Sequence, residues 1–420
     1  MLFDSSQIKF TKYFNCAIFS TMKRIYFDNV STTPVDQAVL DAMLPYFINY
    51  FGNPSSVLIE EGLVPHQAVD EARGKVAKFI NAEKEEIIFT SSATESNNLA
   101  IKGLAFANKN KGNRILFSDI EHYSVMNQAD FLRNSGFEVD FIKVDNYGII
   151  DFEDLKRKTG KSTALVSIMH ANLEIGSIEP VKEIASYLKD IGIPFHSDGT
   201  GTCGRIPVDV KNLGIDVMTI SPHQFYGPKG VAALYIKKGT KITPLMQGGY
   251  QEMGYRAGTE NVPAIVGFGE AAHIAMKEMD KRLEKLTKLS QKLFSGLESS
   301  IDYIHFTGHP TVRLPGHTSF WIEFVEGESL LLWLNLNGIA SASGSACASN
   351  MMAADESALK ASHVLTAVGV PSDICSGSIC FSLGKDNTIE EVDHVLEVMP
   401  GIVKKLMEMS PLYEKAGKSS

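Results

Sequence analysis

Short, nearly continuous apolar runs recur along the chain at Ile87–Thr90, Arg114–Ser118, Val139–Val144, Ala164–Met169, Ile193–Ser197, Val217–Ile220 and Val231–Ile236. Stretches with apolar residues at helical spacing separate several of them, for example Val64–Phe79 and Glu179–Asp190. A strand that is apolar at every position needs cover on both faces. Strands of that kind alternating with helices predict a doubly wound α/β fold around a mostly parallel seven-stranded sheet. From about Ala275 the pattern changes to a long charged helix (Met279–Ser299), strands around Thr318–Phe324, a helix at Ser329–Leu336 and a closing helix at Ile389–Met409. This predicts a smaller α+β domain after a large one of residues 38–275. No internal repeat, low-complexity tract or long linker interrupts the two.

Composition narrows the function classes. The chain has 420 residues, 44% hydrophobic and 21% charged, as in ordinary globular domains. A net charge of −9 argues against nucleic acid or an anionic membrane as a partner held by bulk electrostatics. No apolar run approaches the roughly 20 residues that cross a bilayer. The five cysteines, Cys16, Cys203, Cys347, Cys375 and Cys380, are scattered and odd in number. They build no disulfide framework, which points to a reducing cytoplasm. Residues 1–21 hold Lys9, Lys12 and Asp4 but no arginine and no cleavage pattern, so they are expected to be a disordered extension before Met22.

Candidate chemistry sits where strands end. Thr90-Ser91-Ser92-Ala93-Thr94-Glu95-Ser96 opens a helix directly after a strand, offering free N–H groups and a positive dipole end to a phosphate. A well-capped helix with no ligand explains that turn equally well. His196-Ser197-Asp198 ends another strand, where ligands of open α/β sheets bind, and Asp198 is suited to pair with a pyridinium nitrogen. Without context, an Asp capping the next turn is the commoner explanation. Ser221 and His223 end a third strand, and His122 lies near the end of a fourth. Ser343-Gly344-Ser345-Ala346-Cys347-Ala348-Ser349 surrounds a cysteine with small residues, the setting of an accessible, reactive thiol.

Together with Asp28-Asn29, Phe51-Gly52-Asn53-Pro54-Ser55-Ser56, Arg256-Ala257-Gly258-Thr259-Glu260-Asn261, Glu326-Gly327-Glu328-Ser329 and Ser410-Pro411-Leu412-Tyr413, these segments resemble a cysteine desulfurase of the class V aminotransferase superfamily, fold type I. The resemblance runs from about Tyr26 to Tyr413. It implies that residues 22–37 join 276–413 in a small domain carrying the Cys347 loop, with 414–420 as a tail. It implies pyridoxal phosphate as cofactor, with Thr94, Ser221 and His223 at its phosphate, Thr259 reaching the phosphate from a second subunit, His122 stacked on its ring and Asp198 on its ring nitrogen. Cys347 matches the nucleophile that takes sulfur as a persulfide. A homodimer and an iron–sulfur scaffold protein are the implied partners.

Four positions depart from the family pattern. Gln224, in Ser221-Pro222-His223-Gln224, stands where the lysine that links the cofactor covalently belongs, and an amide nitrogen cannot condense with an aldehyde. Leu173 replaces an Asn that contacts cofactor and substrate, Gly201 a Gln at the ring oxygen, and Cys380 an Arg that pairs with the substrate carboxylate. Lys229 lies five residues on, beyond the turn, and is lysine in the family as well, so it offers no replacement. Losing a general base removes about 10²–10⁴-fold in rate, and losing a charged hydrogen bond about 1.5–3 kcal/mol. These departures count against covalent cofactor binding and against L-cysteine as substrate. They predict an iron–sulfur assembly factor that docks a scaffold and offers Cys347 as cluster ligand or persulfide relay, with a transient iron–sulfur cluster. The alternative is an active cysteine desulfurase holding pyridoxal phosphate non-covalently. A separate metal site of Cys347, Cys375 and Cys380 has no recognised ligand spacing.

Overall fold

The computed structural model describes residues 24–343, 362–371, 378–411 and 413. Cys347, Cys375, Cys16, the extension and the tail therefore lie outside the described residues.

A seven-stranded sheet runs in the order β2 (Ile87–Thr90), β8 (Ala232–Ile236), β7 (Val217–Ile220), β6 (Phe195–Asp198), β5 (Thr163–Ser167), β3 (Arg114–Ser118), β4 (Glu138–Ile142). Only β8 runs antiparallel to its neighbours, β2 and β7. The parallel strands β5, β6 and β7 are buried at every residue, as helices on both faces require. On one side pack the helices Glu60–Phe79, Val181–Asp190 and the first half of Val262–Ser300, forming a cluster that includes Val76, Leu188 and Phe268. On the other lies Ala93–Ala107, whose Leu99 and Leu104 meet Phe117 and Leu165.

A second cluster holds Phe27, Leu293, Phe320, Phe381 and Val395. It is built from a three-stranded antiparallel sheet, β12 (Ile379–Ser382), β10 (His317–Ile322) and β9 (Ile304–Phe306), and from the helices Gly327–Leu336 and Ile389–Met409. The N-terminal β1 (Ile25–Tyr26) pairs in parallel with β11 (Ile339–Ala340), which ties the start of the described chain to this cluster.

The helix expected at Met279–Ser299 is one 39-residue helix, Val262–Ser300. The division at 275 falls inside it: Phe268 and Ala272 pack in the first cluster, Leu289 and Leu293 in the second. Its first half escaped the sequence pattern because Val262–Ala275 is rich in Gly and Ala and buried on most sides. A helix enclosed in that way loses the polar face that marks an amphipathic period.

Candidate functional site

Five strands, β2, β3, β5, β6 and β7, end at one edge of the large sheet, and the loops beyond them line a single cavity of about 480 Å³. Crevices at the carboxyl ends of strands are where open α/β sheets bind ligands. Thr94, His122, Asp198, Ser221 and His223 all line this cavity. Thr259 does not: it is exposed on the loop before the long helix. That loop is nevertheless tied to the cavity rim, because Arg256 donates to Glu95 at 2.9 Å. Burial opposes the charge on Glu95, yet the bonds from Arg256 and Ser91 hold its carboxyl below the usual carboxylate range.

One end of the cavity is built for an anion. Ser92 caps the helix Ala93–Ala107 by accepting the Glu95 N–H at 3.1 Å, which leaves the helix's positive end at Thr94. Ser221 is buried, and its Oγ has no partner among the described residues. His223 directs Nδ1 to Thr32 Oγ1 at 3.2 Å, and burial together with the Lys229 charge pushes its pKa down. Lys229, five residues after Gln224 and beyond the turn, also lines the cavity. The Phe225 and Gly227 N–H groups both donate to the Pro222 carbonyl, closing the turn so that the chain folds back. Tyr226 takes a left-handed φ of 73° in this turn, fixed by its N–H bond to Thr33 Oγ1 at 2.7 Å.

Three carboxyl side chains, Asp198, Glu121 and Glu174, also line the cavity. Asp198 is buried at the end of β6, accepting from Asn97 Nδ2 at 2.7 Å and from the Thr200 N–H at 2.9 Å. Burial raises Glu121 to about 8 in spite of bonds from Ser118 and the Met169 N–H, and raises Glu174 to about 7 in spite of a bond from Ser362. His363 donates Nε2–H to the Glu121 carbonyl at 2.9 Å, and its ring lies against Tyr123. Gln224 lies buried in the short helical turn Pro222–Gln224, lines the cavity, and leaves Oε1 without a partner among the described residues.

Leu173 lies against both Gly201 and Cys380, the other two positions read from sequence as departures from the family pattern. A Cβ on Gly201 would meet the Ala171 carbonyl at 2.9 Å and Leu173 Cδ2 at 3.2 Å, so Leu173 occupies the room a side chain there would need. Leu173 also packs against Val30, Ala342 and Cys380. The Cys380 thiol lies 3.2 Å from His317 Nε2, which in turn donates to the Leu173 carbonyl. Burial pushes the thiol pKa up, so Cys380 behaves as a small apolar residue. Behind this wall, Arg205 is buried and Arg313 half-buried, neither with a carboxylate partner among the described residues, and desolvation lowers Arg313 to about 10. Among the described residues no group of His, Cys, Asp and Glu could hold a metal ion. No helix there is long and apolar enough to cross a membrane.

A family model described as aminotransferase class-V matches residues 25–395. The chain belongs to that family. Among its class-V relatives, "Cysteine desulfurase IscS" of Methanosarcina thermophila is 50% identical over 393 residues, covering 94% of this chain and 95% of the relative. "Cysteine desulfurase IscS" of Dictyoglomus turgidum is 48% identical over 391 residues, covering 93% and 97%. A solved structure titled "NIFS-LIKE PROTEIN" superposes with a TM-score of 0.83 at 36% identity, covering 91% of this chain and all of that one. The fold and the family expected from the sequence are thus both shown, and the chain is a homologue of cysteine desulfurases.

Two residues that line this class-V cavity, Glu174 and His363, were not singled out from sequence, nor were Asn97 and Ser124, which hydrogen-bond to the lining residues Asp198 and His122. Asn97 stands three residues after Thr94, the spacing that returns a helix to the same face, and this was the one available signal. Ser124 lies in the short helix Tyr123–Met126, Glu174 in the loop after β5 and His363 at the start of the helix His363–Ala367, and only the fold brings them together.

Proposed function

We propose that this chain is a cysteine desulfurase of iron–sulfur cluster assembly that takes sulfur from L-cysteine and holds pyridoxal phosphate without a covalent link. The observation that carries this reading is the retention of Thr94, His122, Asp198, Ser221 and His223 around one cavity that offers an amide, Gln224, in place of an amine. Its resemblance to proteins named cysteine desulfurase over nearly its whole length supports the activity.

The residues present fit the cofactor. Ser221 Oγ is a buried hydroxyl without a partner among the described residues, and it lies in the same cavity as the helix end at Thr94, His223 and Lys229. These four would hold the phosphate. Asp198 would hold a proton on the ring nitrogen, and His122 would cover a ring face. When bound, the cofactor supplies an aldehyde for the substrate amine and a ring that draws electrons from the bond being broken. Gln224 can orient by hydrogen bonding but cannot accept a proton. Proton movement then falls to His122 and to Glu174, whose carboxyl titrates near neutrality. Cys347 would take the sulfur: the substrate C–S bond breaks, an S–S bond forms on the thiol, and L-alanine leaves.

The exposed apolar residues Phe47, Ile48, Phe51 and Leu58 form the kind of surface that a second copy covers, in keeping with a homodimer in which Thr259 serves the partner's cavity. A scaffold protein is the expected sulfur acceptor, in the cytoplasm.

A second reading is favoured by one observation. Leu173, Gly201 and Cys380 form a packed apolar wall where the family pattern puts polar contacts to cofactor and substrate. On that reading the protein is an assembly factor that offers Cys347 as cluster ligand or persulfide relay, with sulfide made elsewhere. Sulfide release from L-cysteine, measured with and without added pyridoxal phosphate, separates the two. Cofactor-dependent release supports the desulfurase. Its absence, with cluster assembly on the scaffold still lost in Cys347→Ser, supports the assembly factor.

A further inference from the structure

Asn97 is completely buried inside the helix Ala93–Ala107, yet it touches two different loops of the cavity. Its Nδ2 donates to Asp198 Oδ2 at 2.7 Å and to Ser124 Oγ at 2.8 Å, so both amide hydrogens are used. Asp198 is a carboxylate acceptor, which fixes the amide's orientation. Ser124 Oγ, having accepted from Asn97, lies 2.8 Å from His122 Nδ1, and the Ser124 backbone N–H donates to the same Nδ1 at 3.1 Å. An N–H donor at Nδ1 requires a lone pair there, so the neutral His122 ring carries its proton on Nε2. One asparagine therefore joins the acid at the end of β6 to the imidazole beyond β3.

We propose that Asn97 is a positioning residue that sets Asp198 and, through Ser124, His122 in one frame, fixing the His122 tautomer and the direction of the Asp198 carboxylate toward the bound ring. The relevance to a cofactor ring rests on the function proposed above; the tautomer does not. Removing Asn97 leaves Asp198 with the Thr200 N–H as its remaining described donor and frees the Ser124 hydroxyl to turn away from Nδ1. The neutral form of His122 then loses a donor, and its titration midpoint rises.

The test uses the full-length protein and its variants Asn97→Leu, which keeps volume without donors, and Ser124→Ala. Two readouts are taken: ¹⁵N shifts of the His122 ring across pH without cofactor, and the affinity and pH-dependent absorbance of added pyridoxal phosphate. Wild type should show protonated Nε2 and bare Nδ1. Asn97→Leu should raise the His122 midpoint and weaken the cofactor about tenfold, the loss expected of a hydrogen bond to a charged group. Ser124→Ala should move the His122 midpoint and leave the cofactor's pH-dependent spectrum in place. A His122 midpoint and tautomer unchanged in Asn97→Leu would overturn the proposal, even if the thermal midpoint fell. Failure of wild type to bind pyridoxal phosphate would instead count against the proposed function, and the His122 readout would still decide the role of Asn97.

Discussion

At the scale of single residues, Gln224 and Cys380 carry the most consequence, and they behave differently. Gln224 sits in the cavity beside Ser221 and His223, and its Oε1 has no partner among the described residues, so restoring the amine should be tolerated. Gln224→Lys should couple pyridoxal phosphate covalently, seen as added mass after borohydride reduction, and raise the rate of sulfide release by about 10²–10⁴-fold. Unchanged mass and rate would show that the lysine's absence is not what limits the site. Cys380 sits in a wall that has adapted around it. Arg205 is buried and Arg313 half-buried near it, with no carboxylate partner for either among the described residues, so Cys380→Arg adds a third cation to a close-packed spot. It should lower stability by about 3 kcal/mol or more in urea unfolding without restoring cysteine turnover. The sequence disclosed these substitutions as separate departures. That Leu173 fills the space over Gly201 and lends its carbonyl to His317 was not legible, because it depends on loops after β5 and β6 meeting β10 and β12.

Among the elements, those that place the site were the most legible. β2, β3 and β7 begin and end where the apolar runs predict, since strands buried on both faces leave a clear apolar block between polar turns. The helix Ala93–Ala107 was also recognisable from the small residues that open it directly after a strand, and its N-cap is Ser92. Ser92→Ala should cost about 1 kcal/mol in urea unfolding. It should also weaken binding of pyridoxal phosphate, because the cap orients the first turn that carries Thr94. A stability loss with unchanged affinity would separate the helix end from the cofactor's phosphate. Less legible was the long helix Val262–Ser300, whose buried first half lacks a polar face. That Lys229 also lines the cavity was not legible, because turn closure through the Pro222 carbonyl cannot be read from spacing.

Across the whole molecule, buried titratable groups set how stability depends on pH. Glu121 and Glu179 are raised to about 8 and Glu174 to about 7, chiefly by burial, from a usual value of 4.5. The folded protein then binds protons that the unfolded chain has released, so the stability these groups contribute is lost as pH rises through 7 and 8. Burial lowers His170 to about 4 and His317 to about 3, and the stability from their neutral forms is lost on acidification below 6.5. Between about pH 6.5 and 8 the carboxyls alone act, and stability should fall with rising pH. Glu179→Gln should flatten that fall in urea unfolding. An equal slope in the variant would mean that Glu179 titrates normally. The same carboxyls tie the fold to the site, since Glu121 and Glu174 line the cavity.

The claim that pyridoxal phosphate is held without a covalent link is tested most directly by titrating the purified protein with pyridoxal phosphate, following its visible absorbance, then adding L-cysteine and assaying sulfide. The account predicts saturable binding, a spectral change on adding cysteine, sulfide that depends on the cofactor, and no mass retained on the chain after borohydride reduction before substrate is added. No saturable binding and no sulfide, or cofactor fixed to a lysine of the chain, would contradict it.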